Sequence, residues 1–307
     1  MFVTTRELLA GVVLDLAIGD PQWLPHPVRG LGWLASKSEN FWRASRVSPV
    51  LAGIFFWITT VAVFTLFVAL TSILGGSLVR IYWIFALLAC RDLDVETGRV
   101  VRALERSDLA DARAKLASIV GRDTKNLDEL EMIRATVETV AENLSDGVVA
   151  PLFWLALAGV PGMAAYKAIN TLDSIAGYRN ERYREFGWAS ARVDDLANLI
   201  PARLTALLIW TASLLPGFDA RRSFRVTLRD AGKQPSPNAG YPEAAFAGAL
   251  GVQLGGTNYY CGVPIHKNTL GDVAVPLRRD SFYRVRVLLY ATEGLCVAAI
   301  AGWIGCL

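Results

Sequence analysis

Between Arg46 and Arg80 no charged side chain occurs, and the interval from Val47 to Val79 carries Phe55, Phe56, Trp57, Phe64 and Phe67. The hydrocarbon core of a bilayer is crossed by ~20 apolar residues in helical form, each adding ~1.5 Å of rise. The run is longer than that, so it predicts a membrane-crossing helix in preference to a buried core helix of a soluble enzyme. The rest of the chain agrees. At 307 residues, 53% hydrophobic and 19% charged, with a mean hydropathy of +0.36, it is too apolar for an ordinary soluble domain.

Further apolar stretches run from Leu8 to Ile18, from Val148 to Tyr166, from Leu204 to Leu215 and from Val287 to Leu307, and the Val50 to Gly75 stretch can continue to Cys90. Only Val50 to Gly75 and Val287 to Leu307 are comfortable spans. The expected fold is all-α: a polytopic integral membrane protein with about four or five membrane-embedded helices, some of them broken or re-entrant. Residues 1–307 read as a single membrane-embedded domain. Residues 91–146 are charged and rich in Ala, Leu, Glu and Arg, a helical insertion on the water side, while 167–203 and 219–286 are polar segments that carry the candidate site. Strand signals are weak throughout.

Pro151 and the Val160-Pro161-Gly162 sequence predict a broken or re-entrant helix, because proline removes a backbone donor and glycine loosens the turn. The Leu204 to Leu215 stretch is short, preceded by Arg192 and Arg203 and followed by Arg221, Arg222, Arg225 and Arg229. Both flanks read as cytoplasmic by the positive-inside rule. If neither short stretch crosses, every polar segment from Arg91 to Arg286 shares the cytoplasmic face of a bacterial inner membrane.

Several function classes are disfavoured. A net charge of +3 with interspersed signs offers no nucleic-acid footprint. Cys90, Cys261, Cys296 and Cys306 lack zinc or disulfide spacing, and Asp15 interrupts the first apolar stretch, so no removable leader is expected. No phosphate-binding GxxxxGK[ST] loop or nucleophile elbow occurs. Gly30 to Ala35 fits the dinucleotide pattern only formally, since it follows a proline-rich loop.

Five polar constellations remain. In Thr136 to Asp146, Ile133, Val137, Val140 and Leu144 form an apolar seam with Glu131, Glu138, Glu142 and Asp146 opposite. This is either a solvated acidic face or a site, and the like charges of Glu138 and Glu142 one turn apart, followed by Asn143, favour a cation such as Mg²⁺. From Lys167 to Arg203, a basic rim explains Arg182, Arg184 and Arg203. It explains Lys167, Asn170 and Asp173 poorly, and these read with Arg179, Arg192 and Asp194 as a polar site at the apolar edge. Ser236 to Glu243 is a turn-rich segment whose N–H groups either hold an anion or cap the helix opened near Pro242. Beyond it Ala247, Gly251 and Gly255 recur at helical spacing, a close-packing signal. His26 and Arg29 follow the stiff Gly19 to Pro27 loop, where a lone histidine is more often structural. Lys267 belongs to a weaker patch, His266 to Asp272.

Together Gly19-Asp20-Pro21, Leu24 to Val28, Ile119 to Asp123, Val137 to Asn143, Asp146-Gly147, Asn170 to Asp173, Gly177-Tyr178, Asp194-Asp195 and Ser236 to Gly240 resemble the CobD/CbiB family, the membrane adenosylcobinamide-phosphate synthases, across essentially the whole chain. The resemblance implies ATP-dependent amide formation between a propionate of adenosylcobyric acid and the amine of aminopropanol or its phosphate, with Mg²⁺ assisting. It implies Glu138, Glu142 and Asp146 as metal ligands or base, with Asp173 and Asp194 as second choices. Lys167, Arg179, Arg192, Ser236, Arg29 and Lys267 are then candidates for phosphate oxygens, and Asn143, Asn170, Asn238 and His26 for orienting the corrinoid. Expected partners are these substrates, the bilayer, no nucleic acid and other late enzymes of the pathway. The competing reading is a non-catalytic corrinoid carrier or sensory relative. A transporter is disfavoured because no internal repeat is visible.

Overall fold

The structure, a computed structural model, describes residues 3–21, 26–178, 180–260 and 262–306. In chain order its elements are α1 (Thr5–Ile18), α2 (Pro27–Arg43), α3 (Pro49–Leu74), α4 (Gly76–Leu87), α5 (Cys90–Glu105), α6 (Leu109–Ala117), α7 (Glu129–Leu144) and α8 (Ala150–Ala176). There follow α9 (Trp188–Ala197), α10 (Leu199–Ala212), α11 (Ala220–Asp230), α12 (Gly240–Leu250), β1 (Leu254–Tyr260), β2 (Val263–Leu270) and α13 (Ser281–Gly305). They gather into two compact units. The first comprises Met1–Ala89, Ala150–Leu199 and Val297–Leu307, and the second Cys90–Val149 and Ile200–Cys296.

In the first unit the helix starts are written locally. Thr4 and Glu7 form a capping box on α1, His26 receives the Val28 N–H ahead of Pro27 on α2, and Ser48 receives the Leu51 N–H ahead of Pro49 on α3. Gly76, at φ +62°, turns the chain between α3 and α4, which divides the long apolar run in two. Helix α3 buries Phe56, Phe64 and Val68 yet leaves Val63, Leu66, Phe67, Leu70 and Leu74 exposed. A helix apolar on its outward face as well is suited to lipid. Glu7 is buried against Arg80 and Ser77, at 2.9 and 2.5 Å, so its charge is matched where water is scarce.

Among the described residues three helical stretches are long and apolar enough to cross a membrane: Pro49–Leu74, the stretch Glu129–Ala176, and Ser281–Gly305. Two had been comfortable from sequence, and the third is α8 with the helix leading into it. The break expected in α8 is present. Ala158 and Gly159 leave helical geometry, Gly159 at φ +66°, and Pro161 follows at once. Helix α10 is apolar but shorter.

The second unit corrects two expectations. The fold is not purely α-helical, because β1 and β2 pair antiparallel, with Thr257 opposite His266 and Gly256 opposite Lys267. Glycines at 255 and 256 and Pro264 mask the alternating pattern that would have revealed the hairpin. The Ala247, Gly251, Gly255 stripe does not lie on one helix either. Gly251, at φ +73°, is the left-handed cap that ends α12, and Gly255 sits in β1. Close packing falls instead on Gly248, where a Cβ would lie 2.6 Å from the Ser223 backbone of α11. The charged 91–146 segment is helical as expected, and Asp128 and Glu131 form a capping box on α7.

Candidate functional site

In the second unit, α7, the loop before it, the hairpin and α12 bring together a dense charged cluster. Glu138 is buried, which removes it from any solvated acidic face. One of its oxygens accepts from Arg122 at 2.5 Å and the other accepts the Gly255 N–H at 2.8 Å, with Arg134 at 3.9 Å. Arg122 also donates to Asn258 Oδ1, and Arg134 donates to the Thr257 carbonyl at 3.2 Å. Two guanidiniums and a main-chain donor thus compensate one buried carboxylate.

One turn on, Glu142 and Asn143 are exposed, and Asn143 donates to the Thr139 carbonyl. Asp146 stands half-buried in a π-helical turn, Ser145–Val149, a geometry that recurs at functional sites. Facing this group from α12 is Glu243. Burial foremost, then the charges of Glu142 and Glu138, raise its pKa to about 8, while Lys267 and a 2.6 Å hydrogen bond from Gln234 act the other way. With Glu138 already matched by arginines, Lys267 is left among Glu142 and Glu243. The arrangement can hold a proton on Glu243 at neutral pH and present Glu142 to a cationic group.

Glu138, Glu142 and Asp146 do not form a metal cage: among the described residues no group of three or more acidic, His or Cys side chains could hold an ion. Glu138 is committed to Arg122. Of the three, Glu142 is exposed and Asp146 half-buried; an ion such as Mg²⁺ needs only one or two carboxylates and completes its shell with substrate phosphate and water.

The Ser236 to Gly240 turn is closed on itself ahead of α12, whose N-cap residue, Ala239, makes no side-chain capping bond. Ser236 Oγ accepts the N–H groups of Asn238 and Ala239 at 3.3 and 3.2 Å, so these donors are spent within the turn itself. Asn238 is buried and accepts from Arg203 at 3.4 Å, and Arg203 lies over the Tyr241 ring at 4.1 Å.

The first unit holds the other predicted residues. Asp194 is buried and accepts from Asn198 at 3.0 Å and Asn170 at 3.4 Å, and Asn198 in turn accepts from Tyr166 at 2.8 Å. Burial, then the neighbouring Asp173 charge, outweigh those hydrogen bonds and raise its pKa to about 7, with Asp195 adding to the rise. Beside it a cavity of about 420 Å³ is lined by Tyr178, Tyr183, Arg184, Trp188, Arg192 and Asp195 among others. Lys167 and Asp173 are half-buried on α8. His26 caps α2 and pairs through Nε2 with Asp20 at 3.0 Å, a structural role, and Arg29 is exposed on the same helix. Arg179 lies outside the described residues, as do Leu24 and Pro25.

The profile of the family described as CobD/Cbib protein matches residues 8–289. The chain belongs to the CobD/CbiB family. Its similarity to other members spans nearly the whole chain. It is 49% identical to the "Cobalamin biosynthesis protein CobD" of Geobacter metallireducens over 96% of this chain and 95% of that one. The proteins of that name from Clostridium perfringens and Klebsiella pneumoniae are each 42% identical, over 96% of both chains and 94% of both chains respectively. No solved structure matches the chain. For this CobD/CbiB chain, sequence reasoning missed Arg122, Arg134 and Asn258, and took Glu243 only as the end of the turn-rich segment before α12. A buried acidic helix face requires cationic partners, and Arg122, inside the Ile119 to Asp123 motif, was the signal available.

Proposed function

We propose that this protein is an ATP-dependent amide ligase of cobalamin biosynthesis, joining adenosylcobyric acid to aminopropanol or its phosphate. The observation that carries the reading is the convergence of Glu142, Glu243 and Lys267 around an arginine-compensated Glu138. Amide formation needs a base for the incoming ammonium and cationic groups for phosphate oxygens, and this cluster offers both kinds. Glu142 is the group to take the amine's proton or, with Asp146, to hold Mg²⁺. That ion would neutralise phosphate charge during carboxylate activation. Lys267 is positioned as a point charge for phosphate. Within the first unit, Asp194, Asp173 and the Arg184 and Arg192 cavity form a polar site of their own, suited to an anionic ligand.

We place the protein in the cell membrane, multi-pass, with α1 and α10 joining the three long apolar stretches as embedded helices and the polar segments on the cytoplasmic side. The test is direct. Purified protein is mixed with adenosylcobyric acid, ATP, Mg²⁺ and aminopropanol phosphate, and ADP and the new amide are followed by mass spectrometry. Corrinoid binding without ADP release would replace the ligase with a carrier.

A further inference from the structure

Helix α11 has one face committed and one face open. Ser223, Val226 and Asp230 are buried, Ser223 Oγ donates to the Ala245 carbonyl of α12 at 2.9 Å, and Gly248 admits the α11 backbone closely. That face cannot turn outward. The opposite face carries Arg221, Phe224, Arg225 and Leu228, spaced so that all four share one side of the helix, and all are exposed. Phe224 lies against Trp210 of α10 with ring centroids 5.2 Å apart. Between the two helices is a groove of about 580 Å³ lined by Trp210, Arg221, Phe224, Arg225, Leu228 and Arg229.

The charges in this groove are unequal in kind. Arg229 is neutralised by Asp230 and Asp272, at 2.7 and 3.0 Å, and Arg222 pairs with Asp219 at 3.4 Å. Among the described residues, no acidic side chain pairs with Arg221 or Arg225. Two free guanidiniums therefore stand over an apolar floor, and exposed Leu207, Leu214 and Leu215 continue that apolar surface along α10 and the turn after it. Phosphate oxygens match the guanidinium fork, and an acyl chain matches the aromatic and leucine floor. Amphipathic helices of this make-up lie at the boundary between headgroups and acyl chains.

We propose that the α10 and α11 groove is a binding site for an anionic phospholipid, with Arg221 and Arg225 on the headgroup phosphate and Trp210, Phe224 and Leu228 against the acyl chains. The site anchors the start of the second unit's α11–α12 pair to the lipid surface, and it is separate from the charged cluster around Glu138.

The test is native mass spectrometry of the full chain in detergent, titrated with short-chain phosphatidylglycerol or phosphatidylcholine. Wild type should retain phosphatidylglycerol in preference to phosphatidylcholine. The double substitution Arg221→Gln, Arg225→Gln should weaken that binding roughly thirty-fold, on the usual contribution of two basic residues at an anionic lipid surface. Arg221→Lys, Arg225→Lys keeps the charge and should bind within a few-fold of wild type. Equal retention of the two lipids, undiminished binding by the glutamine variant, or the same loss in the lysine variant would overturn the proposal. So would displacement of the lipid by ATP, which would make the groove a nucleotide site.

Discussion

Glu138 of α7 accepts the backbone N–H of Gly255 at 2.8 Å, which ties the carboxylate to the start of the hairpin. Gly255 is at φ +85°, and a Cβ there would lie 2.3 Å from the Asn268 carbonyl oxygen. Gly255→Ala should therefore move the hairpin away from Glu138. We expect a loss of about 1–3 kcal/mol of stability from backbone strain, read as a lower Tm, together with reduced turnover in the assay of the proposed reaction.

Arg122 is the main partner of that same buried carboxylate. Among the described residues, Arg122→Met leaves Glu138 with the more distant Arg134 and the Gly255 N–H, and breaking a buried pair typically costs about 3–5 kcal/mol. Urea or thermal unfolding in detergent should show a fall of that order. A variant as stable as wild type would mean that Arg134 suffices.

Glu142→Gln keeps the shape of the side chain and removes its charge, so it tests chemistry more than packing. Glu142→Gln is expected to lower kcat roughly a hundredfold or more, the usual weight of a general base, with expression and Tm unchanged. Wild-type turnover in this variant would remove Glu142 from the mechanism.

The raised pKa of Glu243 has a definite sign in stability. Between its ordinary value of 4.5 and about 8 the folded state keeps a proton that the unfolded state has lost, so stability falls as pH rises through that window and levels off above it. Glu243→Gln should flatten that decline in Tm measured against pH. An unaltered slope would show that Glu243 is not the group responsible.

Asp194 offers a parallel test in the first unit. Asp173→Asn removes the like charge that, after burial, most raises the Asp194 pKa, so the titration now near 7 should shift toward acid. Infrared spectroscopy of the carboxyl band against pH would follow it directly.

What the sequence determined by itself was local. The caps at Thr4, Ser48 and Asp128 and the break before Pro161 depend on groups within a few residues of one another, and the uncharged run between Arg46 and Arg80 declares its solvent without any partner. The Thr136 to Asp146 face could be seen to be acidic, but its neutralisation could not. Arg122 and Gly255 reach Glu138 from 16 and 117 residues away, and nothing in either segment announces that separation. Glu243 could be seen at the end of its turn-rich segment but not its burial: its carboxyl is ordinary until α12 folds it beside Glu142 and out of water. Electrostatic energy depends on distance and dielectric, both of which are properties of the packed chain, so only the tertiary structure decided which acids are matched and which remain available for chemistry.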